Sequence, residues 1–140
     1  MKLIVISDTH GYHRDIGFIP DGDVLIHCGD FSNVGEKYQV IDFIEWMDSQ
    51  PHKHKIFIAG NHDKSFDVKY HKSPADSLWL NDTLAYVKEL GIHYLNDTHI
   101  TIDGVKFWGS PITPNFGEDY WAFKAWMDKE IQAMMDEDNG

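Results

Sequence analysis

The chain has a single cysteine, Cys28. No intrachain disulfide can form, and the cytoplasm is the simplest expected location. Positive charge is scarce: 12 Lys and Arg stand against 23 Asp and Glu, a formal net charge of -11. Non-specific grip on nucleic acid needs a basic surface to neutralise phosphates, so it is not expected here. An anionic membrane surface makes the same demand. A phosphate substrate stays open, because bound cations can reverse the local charge. No apolar run approaches a membrane span. The opening MKLIVISD reaches Asp8 and His10 too soon for a signal peptide. The sequence shows neither an internal repeat nor a low-complexity tract.

What is present is a globular composition. With 140 residues, 42% of them hydrophobic and 14% aromatic, the chain can bury a core as one domain, residues 1–140. Leu3–Ser7, Asp23–His27 and Lys55–Ala59 are short runs rich in Ile, Val, Leu and Phe, and read as buried strands. Between the second and third, Gln39–Asp48 spaces Val40, Ile41, Phe43, Ile44 and Met47 as one helical face. Strand, helix and strand in that order predict a parallel α/β sheet. Residues 64–73 read as loop. Pro74 opens a helix to about Leu90 with Gly91 as its stop. Ile92–Leu95 reads as a short strand. Asp103-Gly104 between Thr98–Ile102 and Val105–Gly109 predicts a hairpin. A final amphipathic helix is expected over Tyr120–Met135, with Phe123, Met127, Ile131 and Met134 as its stripe.

The first three strands end alike. They are followed by Asp8-Thr9-His10-Gly11, by Cys28-Gly29-Asp30 and by Gly60-Asn61-His62-Asp63. In a parallel sheet these ends share the carboxyl edge, where open α/β folds bind ligands. Asp and His side chains with an Asn carbonyl form a mixed oxygen and nitrogen set. Such a set suits Mn, Fe or Zn better than a soft thiolate metal or calcium. Each fragment alone is weak, since Asp, His and Asn are ordinary loop residues; the ordered set of three is a strong signal.

Taken together, SDTHG (7–11), HCGDF (27–31) and AGNHD (59–63) resemble the calcineurin-like metallophosphoesterases in order and spacing. IPDGDVLIHCGDFSNVG (19–35) and WGSPITPNF (108–116) are similar to segments of the small brain-type metallophosphoesterase-domain phosphodiesterases. The fold this resemblance implies is an α/β sandwich of β-sheets flanked by helices. It implies two divalent ions, Mn first and Fe or Zn as alternatives, roughly 3.5–4 Å apart. Asp8 and His10 would bind the first, Asp30 would bridge both, and Asn61 would bind the second. His62 would protonate the leaving oxygen, and Asp63 would orient His62. A hydroxide between the ions would attack a phosphodiester, or a phosphomonoester, of a small molecule or nucleotide.

The sequence departs from the family pattern toward its end, where neither Thr-His-x-Pro-Pro nor Gly-His-x-His occurs. The expectation is therefore an incomplete domain, C-terminally truncated relative to the family, with about half of a two-metal shell visible. A second copy or a complementing chain would supply the rest. The alternative is a weak or inactive homologue acting as a binding module for a partner. Other histidines have plainer readings: His27 as a satisfied core residue, His13 as an exposed one that could contact substrate, His52 and His54 in a surface turn, and His71 in a polar loop. Cys28 reads as a small buried residue. Trp121 and Trp126 read as core or as an exposed patch for self-association.

Overall fold

In a computed structural model, residues 1–114, 120–125 and 136–137 are described. Strands β1 (Leu3–Ile6), β2 (Val24–His27), β3 (His54–Phe57) and β4 (His93–Tyr94) form one parallel sheet in that order. Helix α1 (Lys37–Ser49) joins β2 to β3, and α2 (Pro74–Glu89) joins β3 to β4. Strands β5 (Thr98–Ile102) and β6 (Val105–Gly109) pair as an antiparallel hairpin. Two further short strands, β7 (Thr113–Pro114) and β8 (Lys124–Ala125), pair with each other in parallel.

Alternation along the strands sorts the side chains into two cores. Leu25 and Phe57 point toward the helices, where they meet Val40, Phe43, Ile44 and Met47 of α1 and Leu80 and Val87 of α2. Val24, Ile26, Ile56 and Ile58 point the other way and are covered by Ile100, Ile102 and Phe107 of the hairpin. The molecule is thus helices, sheet and hairpin in layers, which is the α/β sandwich the motifs imply.

Local signals set the element boundaries. Helix α1 begins where the Gln39 side chain accepts the Glu36 N–H at 3.1 Å, one half of a capping box. Pro74 stands at the start of α2, and Gly91 beyond its end takes φ 76°, the left-handed conformation that favours glycine. Asp103 and Gly104 both have positive φ, 49° and 80°, as a tight turn matched to strand twist requires. Residues 64–73, read as loop, contain two single 3-10 turns, Lys64–Phe66 and Val68–Tyr70.

The expected helix over Tyr120–Met135 is corrected at its start. Residues 120–123 form a turn and bend, and Lys124–Ala125 is strand. This segment is pinned in non-helical form by Tyr70, whose hydroxyl donates to the Trp121 carbonyl at 2.6 Å, and by Asp67, which accepts the Phe123 N–H at 3.0 Å. Residues 126–135, with Trp126 and most of the predicted stripe, lie outside the described residues.

Candidate metal centre

The three strand ends are brought together by backbone hydrogen bonds that continue past the sheet. Asp8 N–H donates to the Gly29 carbonyl at 3.0 Å, His10 N–H to Asp30 at 2.9 Å and Gly11 N–H to Phe31 at 2.8 Å. His62 N–H donates to Asp30 Oδ1 at 2.9 Å, tying the third loop to the second. His10, Asp30 and His62 each present a donor atom, and those atoms all lie within 4.8 Å of one another. Asp8 stands at the margin: its carboxylate is 3.9 Å from His10 Nε2, is mostly exposed and accepts from the Ser7 hydroxyl. Asn61 precedes His62 at the same strand end, and its carbonyl accepts the Ala122 N–H at 3.0 Å.

These residues fit a divalent ion. His10 Nδ1 is buried with no hydrogen-bond partner among the described residues, which is costly unless something electrophilic meets it. The His10 imidazole with the Asp30 and Asp8 carboxylates is a borderline-hard donor set. Gly60 leaves the room: a Cβ there would collide with the Asp30 carboxylate and lie 2.5 Å from its backbone nitrogen. Asp30 is itself fixed from behind. Its neighbour Phe31 is fully buried and stacks on Phe43, with centroids 4.2 Å apart and planes at 9°. Burying such a ring contributes about 1.5–3 kcal/mol, so the core holds the carboxylate in place.

The His62 ring is set by three neighbours. Its Nδ1 lies 2.8 Å from the Asn33 carbonyl oxygen. A carbonyl only accepts, so Nδ1 carries hydrogen, and the neutral ring's Nε2 is left as an acceptor or, when protonated, as a second donor. Trp121 stacks on one face with centroids 3.8 Å apart, and His10 meets the ring edge-on at 4.5 Å.

The orienting contact expected from Asp63 is corrected. Its carboxylate is fully buried and accepts from Ser32 N–H (2.9 Å), Ser32 hydroxyl (2.5 Å), Gly60 N–H (2.8 Å) and Phe31 N–H (3.4 Å). Asp63 binds the β2 and β3 loops to each other, and the Asn33 carbonyl takes the place beside His62. Burial pushes the Asp63 pKa up to about 7, while the hydrogen bonds from Ser32 and Gly60 pull the other way.

Other histidines and the cysteine resolve case by case. His27 is the satisfied core residue the sequence suggests: Nδ1 accepts the Gly29 N–H at 3.2 Å and Nε2 lies 2.8 Å from Thr9 Oγ1. It therefore clamps the loop that carries Asp8 and His10. His13, expected exposed, is 1% exposed and lies 2.7 Å from Asp42 Oδ2, packed against Phe43 and Trp46. His52, expected on the surface, is buried with Nε2 2.9 Å from the Pro20 carbonyl. His71 bridges Ser77 and the Ser65 carbonyl, both at 2.8 Å. Cys28, expected buried, is exposed, although its N–H still donates to the Ile6 carbonyl of β1 at 2.9 Å. Trp121 is partly buried against His62, neither core nor an exposed patch.

Sequence reasoning missed Asn33 and Trp121. The first acts through its backbone, which leaves no side-chain signature, and the second sits 59 positions from His62 with no periodic signal to connect them.

A parallel sheet with helices on one face, a hairpin on the other and an imidazole–carboxylate cluster at its carboxyl edge defines an α/β sandwich with a candidate metal site. The Calcineurin-like phosphoesterase family model matches residues 1–120, and the chain belongs to that family. It is 40% identical over 128 residues to UPF0046 protein K07C11.7 of Caenorhabditis elegans, covering 89% of this chain and 43% of that protein. It is 36% identical over 126 residues to metallophosphoesterase domain-containing protein 1 of Homo sapiens, covering 82% of this chain and 38% of that one. The chain thus spans less than half the length of these relatives. Among solved structures, phosphopantetheinyl hydrolase (PptH) from Mycobacterium tuberculosis superposes with a TM-score of 0.52 at 17% identity, covering 99% of this chain and 51% of that one. At that identity the likeness speaks for the fold alone. No helix among the described residues is long and apolar enough to cross a membrane.

Proposed function

We propose that the chain hydrolyses phosphodiesters at a two-ion centre, with Mn as the preferred metal. The observation that carries this reading is the meeting of His10 and Asp30 at one sheet edge with His62 beside them, their donor atoms all within 4.8 Å of one another. Asp8 and His10 would hold one ion, Asn61 the other, and Asp30 would face both. When bound, such ions supply Lewis-acid polarisation of the phosphoryl oxygens and a nucleophile ionised near neutral pH.

The chain's own residues do the rest. Asp30 is held by the His62 N–H and by the buried Phe31, so its carboxylate needs little reorganisation. His62, with Nδ1 committed to Asn33, offers Nε2 to the leaving oxygen. Water oxygen bonds to phosphorus and the bond to the leaving alcohol breaks with its electron pair on that oxygen. His62 protonates it there, and the proton of the attacking water passes to solvent. The products are a phosphomonoester and an alcohol.

The test is hydrolysis of bis(4-nitrophenyl) phosphate by this chain with added Mn, beside His62→Ala and a chelated sample. Activity abolished by chelation and reduced at least a hundredfold in the variant supports the reading. Metal binding without turnover in any sample would sink it and leave a binding module. The cytoplasm is the proposed setting, and a second copy or complementing chain the proposed partner, for which analytical ultracentrifugation with and without Mn is the measurement.

A further inference from the structure

A cavity of about 850 Å³ opens beside the metal centre, between the N-terminus of α1, the 64–72 turns and α2. It shares a wall with the site. Gly35 lies so close to the third loop that a Cβ there would sit 2.5 Å from the Lys64 nitrogen and 2.9 Å from the Asp63 carbonyl carbon. Tyr120 lines the cavity and meets Trp121 edge-on at 4.8 Å, and Trp121 stacks on His62. An occupant would therefore rest against the back of the ring stack that holds the proton donor.

The lining has two chemical features. Tyr38, Tyr70, Trp79 and Tyr120 supply aromatic surface, and Lys64 and Lys72 supply positive charge. The Lys64 ammonium is 2.9 Å from the Tyr120 ring centre and 5.7 Å from that of Tyr70. Asp76 accepts the Lys72 N–H at 2.8 Å and pairs with Lys37 at 3.4 Å, and Glu36 caps α1. In a chain of net charge -11, a cavity lined by three lysines, Lys37, Lys64 and Lys72, against two carboxylates, Glu36 and Asp76, runs against the average. Aromatic walls with a cation at the rim match a flat ring that carries its own negative charge.

We infer that this cavity seats the far end of the leaving group, and that the preferred substrates are phosphodiesters whose departing alcohol ends in an anionic aromatic ring. The inference rests on the phosphoesterase reading for the chemistry but not for the binding. The leaving oxygen lies at His62, on the near side of Trp121, and the rest of the departing alcohol reaches past that ring into the cavity. The rim lysines then hold the second charge of the departing alcohol, and the walls hold its ring.

The probes are naphthalene-1-sulfonate, cyclohexanesulfonate and 1-naphthol, titrated calorimetrically into the full metal-free chain. The naphthalenesulfonate is expected to bind at least about fivefold more tightly than either of the others. Trp79→Ala and Lys72→Ala, which lie outside the metal centre, should each weaken it by about fivefold. The exposed Lys72 variant keeps the test decisive if Trp79→Ala folds poorly. With Mn present, naphthalenesulfonate should raise KM for the diester and leave kcat unchanged. Equal affinities for the three probes, or binding untouched by both variants, overturn the inference. So does inhibition that lowers kcat alone. Diester turnover without probe discrimination overturns the cavity assignment and spares the phosphoesterase reading. Probe discrimination without turnover overturns that reading, and the leaving-group role with it, leaving an aromatic-anion site.

Discussion

The imidazole of His62 lies against the indole of Trp121, with ring centres 3.8 Å apart and planes 26° from parallel. Trp121 is held in turn by the Tyr70 hydroxyl on its carbonyl, and Ala122 N–H reaches the Asn61 carbonyl at 3.0 Å. The proposed proton donor is thus positioned by a segment far along the chain. A stacked aromatic pair is worth about 0.5–1.5 kcal/mol beyond its area. Trp121→Leu should lower kcat for the diester by about three- to tenfold with a smaller change in KM, and Trp121→Phe should restore most of the loss. Steady-state kinetics on the three proteins decide it; a Phe variant as impaired as Leu would remove the stacking role.

Asp63 gathers two loops with one carboxylate. Removing it leaves the N–H groups of Gly60, Phe31 and Ser32 and the Ser32 hydroxyl without their acceptor in the interior. Asp63→Ala should cost on the order of 3 kcal/mol of stability. Urea unfolding followed by circular dichroism measures this, with an unchanged slope showing that the denatured state is the same. A loss below about 1 kcal/mol would mean that the loops do not depend on it.

His27 makes stability depend on acid. Burial lowers its pKa from 6.5 to about 4, with nearby His13 adding to the effect and Asp8 opposing it. Between those values the unfolded chain binds a proton that the folded one refuses. The contribution is therefore complete above pH 6.5 and is lost as pH falls toward 4. The lowering corresponds to on the order of 3 kcal/mol. Denaturation midpoints from pH 7.5 to 4.5 should fall, and His27→Gln should show a flatter dependence whatever its starting stability.

Gly60 stands where no side chain fits, because a Cβ would strike the Asp30 carboxylate. Gly60→Ala should weaken Mn affinity by at least about tenfold, as displaced ligands do. Calorimetric titration of the variant checks this, and wild-type affinity would show that Asp30 is free to move.

Most of the scaffold was legible because its signals are local. The predicted Leu3–Ser7 and Asp23–His27 differ by a residue from β1 and β2, and the Asp103-Gly104 hairpin is placed to the residue. Apolar runs, a helical stripe and a turn dipeptide each act over a few positions. The edge where Asp8, His10, Asp30, Asn61 and His62 meet follows from parallel order alone. What stayed hidden depends on tertiary packing. His13 is polar in sequence, yet α1 covers it with Phe43 and Trp46 and supplies Asp42 as its partner. The 120–125 segment has a helical pattern, but Tyr70 and Asp67 capture its backbone first. The Asn33 carbonyl belongs to a group every residue possesses, so no residue type marks it.

Asp8, His10 and Asp30 share one more property. Their φ values are 56°, 45° and 54°, in the left-handed region where L side chains are strained, His10 more than the two aspartates. Each costs on the order of 1 kcal/mol where glycine would cost nothing. The proposed metal donors stand where the backbone is least willing to bear a side chain, and the aromatic core beneath Phe31 is what lets the fold tolerate them.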